Sequence, residues 1–115
     1  MAKQGKVWGE TQELFNNGII SVHYLKIRKG GYCSEHSHKF KSNLFFVING
    51  NLKLTIWTPQ GEQDETVIWQ GESSEVPPGV WHKFMALTDV ECLEIYEVKL
   101  RGEDIKRRTE GGIGE

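Results

Sequence analysis

Residues 43–57 read NLFFVINGNLKLTIW. Both halves are short, apolar and rich in β-branched and aromatic side chains, which marks strands rather than helices. Asn49-Gly50 stands between them. Because Asn and Gly both tolerate positive φ, the pair reads as the two-residue turn of a hairpin. In that pairing Ile48 faces Asn51 and Val47 faces Leu52. One face then carries Phe45, Val47, Leu52, Leu54 and Ile56 inward. The other carries Leu44, Phe46, Ile48 and Trp57, more apolar surface than a wet face usually shows.

The same period of two runs outward from this stretch. Residues 21–28 (SVHYLKIR), 66–69, 81–86 and 91–100 read as further strands. Gly30-Gly31, residues 58–61 (TPQG), Gly71 and residues 77–79 (PPG) punctuate them. Six or more short strands at this spacing form a sandwich or barrel. Residues 10–16 and the stretch after Gly102 are the only helix candidates. The segment 101–115 is polar and glycine-rich and reads as a tail. At 115 residues the chain is one domain, residues 1–115, with its barrel core at about 20–100.

Composition excludes several function classes. A net charge of −2 lacks the basic footprint of a nucleic-acid binder. No apolar stretch approaches the length of a membrane span. Cys33 and Cys92 form no CxxC pair, and MAKQGKVWGE at the start has no apolar run, so a reduced cytoplasmic setting is expected. Both thiols read as half-buried structural groups. Trp57, Trp69 and Trp81 read as packing residues.

Chemistry concentrates in the histidines, of which there are four. His36 and His38 stand at i and i+2, so an extended backbone presents both rings on one side. Gly30, five residues, His36, one residue, His38 and later Gly50 form one framed block. Gly71, five residues, Pro77, one residue, Gly79, two residues and His82 form another. The glycines allow tight turns, and Pro77-Pro78 stiffens the approach to His82. His23 receives no role.

These two blocks resemble the paired signature of the cupin family. The resemblance implies an all-β, single-domain double-stranded β-helix, a jelly-roll barrel with short terminal extensions. It also implies one divalent metal ion (zinc, iron, manganese or nickel) on His36, His38 and His82. The family's ligand glutamate falls at position 43, where this chain has Asn43; the closing asparagine of the second block falls at Ala86. Asn43 can offer a carbonyl oxygen as a weak fourth ligand. Three neutral imidazoles and an amide leave the ion at +2, so it is held less tightly and its bound water is more acidic. KVWGETQELF, PPGVWHKF and LEIYEVKLRGEDIKRR are similar to segments of the cupin domain of type II mannose-6-phosphate isomerase.

Function is then expected at a small polar ligand, a sugar or sugar phosphate, with the metal as Lewis acid in isomerase or epimerase chemistry. Glu94 and Tyr96 share parity on the last strand and are the candidate acid–base pair. Lys41 stands where a rim residue would. The lining near the metal is expected to be largely apolar. Two other readings stay open: a three-histidine Fe(II) dioxygenase, and a carbohydrate-binding or sensor module without turnover. Neither nucleic acid nor membrane is expected as a partner, and a homodimer would cover the apolar outer face.

Overall fold

Among the described residues, strands account for every regular element. The computed structural model describes residues 3–98. Its elements are β1 (Lys3–Lys6), β2 (Gly9–Asn16), β3 (Ile20–Ile27), β4 (Lys41–Asn49), β5 (Leu52–Trp57), β6 (Gln63–Ile68), β7 (Ser73–Val76), β8 (His82–Ala86) and β9 (Val90–Val98). One sheet has the order β1-β2-β3-β9-β4-β7 and the other β6-β5-β8, all pairs antiparallel. The two sheets pack into a jelly roll. None of the described residues forms a helix long and apolar enough to cross a membrane. The expected tail, 101–115, lies outside the described residues.

The core sits between the sheets. Phe45 and Val47 from β4, Leu25 and Ile27 from β3, and Cys92 from β9 meet Leu52 and Leu54 from β5 and Phe84 and Ala86 from β8. The expected inward set is therefore buried, except that Ile56 is only partly so. Leu44, Phe46, Ile48 and Trp57 are half-buried.

The expected hairpin does not form. β4 pairs with β9 on one side and β7 on the other, while β5 pairs with β6 and β8. Both edges of β4 are taken, so residues 49–50 carry the chain from one sheet to the other. The turn also lacks the conformation a two-residue hairpin needs: Gly50 has φ of 90°, but no non-glycine among the described residues has positive φ, Asn49 included. Gly50 is required for a different reason. A Cβ there would stand 2.2 Å from the carbonyl oxygen of Asp89.

Residues 10–16 are strand, not helix. Seven residues are too few to sustain an isolated helix, and pairing with both β1 and β3 satisfies their backbone instead. A bulge between Glu13 and Phe15 marks where the pattern breaks. The tryptophan that packs on the core is Trp8, its ring edge-on to Phe84 at 5.2 Å. Trp69 and Trp81 are exposed and Trp57 is half-buried, so none of the three is a core residue.

Candidate metal centre

Backbone pairing brings the histidines together. His36 and His82 form an isolated antiparallel bridge, each N–H donating to the other's carbonyl at 3.0 and 2.9 Å. Directly paired residues project to the same face. His82 also pairs with Ile56 of β5, so that face is the inner one. His38, two residues on, is tied by Gly79 N–H donating to its carbonyl at 2.7 Å. The glycines of both signature blocks do what their spacing requires: Gly30, Gly50, Gly71 and Gly79 all have φ between 82° and 90°.

The three rings converge. Ring centroids of His36, His38 and His82 are 4.4 to 5.6 Å apart, and one ligand nitrogen from each lies within 4.8 Å of the others. His36 Nδ1 donates to the Ser34 carbonyl at 2.7 Å and His82 Nδ1 to the Val80 carbonyl at 2.9 Å. Those bonds fix the tautomer and leave each Nε2 unprotonated, the outer-sphere arrangement of metal-binding histidines. His38 Nε2 is buried with no hydrogen-bond partner among the described residues. Nor has the buried Oδ1 of Asn43, whose Nδ2 is 3.3 Å from His82 Nε2. A buried carbonyl oxygen and a buried ring nitrogen without partners, beside two unprotonated ring nitrogens, fit a cation. The donor set suits a divalent ion of borderline softness.

Glu94 and Tyr96 stand next to this cluster. Asn43 pairs with Tyr96 across β4 and β9, and Phe45 with Glu94. Asn43 Nδ2 donates to Glu94 Oε2 at 3.1 Å, and Tyr96 hydrogen-bonds the same carboxyl. The Tyr96 ring is edge-on to His38 at 5.1 Å and to His23 at 5.5 Å. Lys41 Nζ lies 5.8 Å from the Tyr96 ring centroid, at the rim. A cleft of about 320 Å³ opens from the cluster, bounded by His36, Glu94, Tyr96, His23, Cys33, Ser34, Trp8, Phe84, Gln4, Lys6 and Thr11. Its walls are therefore polar over much of their length, not largely apolar as the strand parity had implied. β1 and β2, unrecognised as strands, supply the difference.

The sequence pattern of the cupin domain matches residues 23–96, well over half of the chain. The chain belongs to the cupin domain family. Among curated proteins no sequence matches this cupin. Among solved structures it is similar to oxalate decarboxylase of Bacillus subtilis, a protein with Mn(II) centres, at a TM-score of 0.76 and 18% identity. That alignment covers 84% of this cupin and 27% of the decarboxylase chain, so the cupin spans about a quarter of that length. It is also similar to a conserved protein of unknown function from Streptococcus pyogenes, at a TM-score of 0.67 and 17% identity, over 78% of this cupin and 74% of that chain. Likeness at this identity speaks for the fold.

Electrostatics keep the cupin's imidazoles ready to ligate. Burial and the neighbouring rings lower His82 to about 4, against a weaker opposing effect of the Val80 carbonyl. Burial, His36 and Lys41 lower His38 too. Burial raises Glu94 above the usual carboxylate range, partly opposed by its hydrogen bonds to Asn43 and Tyr96. Burial and the Glu94 charge raise Tyr96.

Cys33 stands three residues before His36, a spacing that on a regular strand would face it away from the histidines, yet it lines the cleft. Residues 31–38 form only isolated bridges, so counting strand parity from Cys33 to His36 has no basis. Its Sγ accepts the Phe84 N–H at 3.2 Å, and burial pushes the thiol up to about 11, which keeps it inert. His23 alternates with buried Leu25 and Ile27, a legible sign of its inward position. For Gln4 and Lys6 the sequence carried no such sign, because KQGK has no apolar face.

Proposed function

We propose that this cupin holds one divalent metal ion on His36, His38 and His82, with the Asn43 carbonyl as a weak neighbour, and isomerises or epimerises a small sugar or sugar phosphate. The observation that carries the reading is the set of three imidazole nitrogens within 4.8 Å of one another, two of them on rings of fixed tautomer, flanked by Glu94. When bound there, the ion supplies Lewis acidity toward a carbonyl or a pair of hydroxyls. Glu94, 8% exposed and raised toward its neutral form, is suited to carry a proton between adjacent carbons of a sugar. Tyr96 orients that carboxyl. The flanking segments similar to type II mannose-6-phosphate isomerase support the sugar assignment, and the Mn(II) centres of the decarboxylase support trying manganese first.

Elemental analysis of the purified protein tests the metal. NMR detection of solvent deuterium entering hexose phosphates, at full metal loading, tests the reaction. Incorporation at the carbon beside the carbonyl is expected. No exchange with any hexose phosphate would sink the isomerase reading. The three-histidine Fe(II) dioxygenase is the second reading, supported by the neutral amide at position 43. Its test is oxygen uptake faster than that of free iron. The polar cleft favours the first reading, since an apolar lining was the feature suited to O2.

A further inference from the structure

The cleft is longer than one small anion, and its two ends differ in chemistry. At one end stand the histidine cluster, Glu94 and Tyr96. At the other the wall is β1 and β2. Register places Gln4 opposite Thr11, Thr11 opposite Leu25, and Lys6 opposite Gly9, itself opposite Ile27. Leu25 and Ile27 are buried core residues, so Gln4, Thr11 and Lys6 lie on the inner face of the sheet. His23 lies on that face four residues before Ile27, on the order of 14 Å along the strand from the Lys6 row.

Lys6 is the charge at that far end. On the outer face Lys3 meets Glu10 at 4.0 Å, while Lys6 makes no ion pair among the described residues. Gln4 and Thr11 beside it add neutral hydrogen-bonding groups. A lysine with hydroxyl and amide groups around it recognises an oxyanion.

We propose that Lys6, with Gln4 and Thr11, forms a subsite for an oxyanion group of the ligand, at the end of the cleft away from the histidines. The ligand class is a molecule with metal-chelating oxygens at one end and a phosphoryl or carboxylate group at the other. This rests on the sugar-phosphate reading above and narrows it. His23, beside Glu94 and Tyr96 at the histidine end, faces the body of such a molecule.

The test is titration of the full chain, before and after metal removal with chelator, with inorganic phosphate and separately with acetate, followed by calorimetry. Binding of phosphate is expected to persist without metal and to weaken about tenfold in Lys6→Gln, with a smaller loss in Thr11→Val. Lys26→Gln, on the outer face of the same sheet, should leave it unchanged. Tighter phosphate than acetate assigns a phosphoryl group, and the reverse a carboxylate. Metal affinity should be the same in wild type and Lys6→Gln. No phosphate or acetate binding by the metal-free chain, or equal binding by wild type and a folded Lys6→Gln, overturns the subsite. A metal affinity that falls with Lys6→Gln also overturns it, since the residue would then act through the fold. Failure of the metal reading looks different: wild type takes up no metal while phosphate binding and its Lys6 dependence remain.

Discussion

Asn43→Glu should reverse its effect on stability according to whether metal is present. The Asn43 side chain is fully buried, and its Nδ2 donates to Glu94 Oε2 at 3.1 Å. A glutamate there removes that donor and sets two carboxyls side by side, which cannot both ionise. The lost hydrogen bond and an unsatisfied buried acceptor cost about 2 kcal/mol. For a domain this small that lowers Tm by roughly 10 °C. With a divalent ion bound, the added carboxylate supplies the charge that the three neutral imidazoles lack. If affinity rises about a hundredfold, saturating metal adds about 2.7 kcal/mol beyond its effect on wild type. Thermal melts of both proteins, with chelator and with excess manganese or zinc, read this directly. The variant should melt lower than wild type in chelator and gain more on metal addition. A folded variant with the same metal-induced rise as wild type would show that position 43 lies outside the ion's reach, and the four-residue centre would be wrong.

Acid should destabilise the metal-free chain above the range where carboxylates titrate. The unfolded chain takes up a proton on His82 near pH 6.5, whereas the folded chain refuses it until about 4. Stability from this group is therefore complete above pH 6.5 and declines as pH falls toward 4, by about 3 kcal/mol. His82→Asn should flatten that slope in chemical denaturation at pH 4 to 7; an unchanged slope would refute the assignment. Gly50→Ala should cost about 2 kcal/mol or more by denaturant melt, because of positive φ and the close Asp89 carbonyl. A neutral result would contradict the described corner. Burial pushes Cys92 up to about 12 and Cys33 to about 11. Both thiols should thus react slowly with a disulfide reagent at neutral pH and rapidly once the chain is unfolded.

What could be read in the residues was local. The four turn glycines, the inward parity of Phe45, Val47, Leu52 and Leu54, and the three histidines of the two blocks depend on backbone conformations set within a few residues. Those conformations follow from side-chain shape and need no knowledge of distant partners. The tertiary structure decided which strand pairs with which. Asn49-Gly50 carried a strong hairpin signal, but β9 and β7 occupy both edges of β4, and that competition is settled by burial across the whole sandwich. The second wall of the cleft followed from the same cause. Residues 10–16 carried no strand signal, and KQGK no face to bury. Only pairing with β3 brings Thr11, Gln4 and Lys6 into one cleft with histidines encoded far along the chain. Strand partners at long sequence separation are chosen by the core they jointly enclose, so no local reading of either partner contains them.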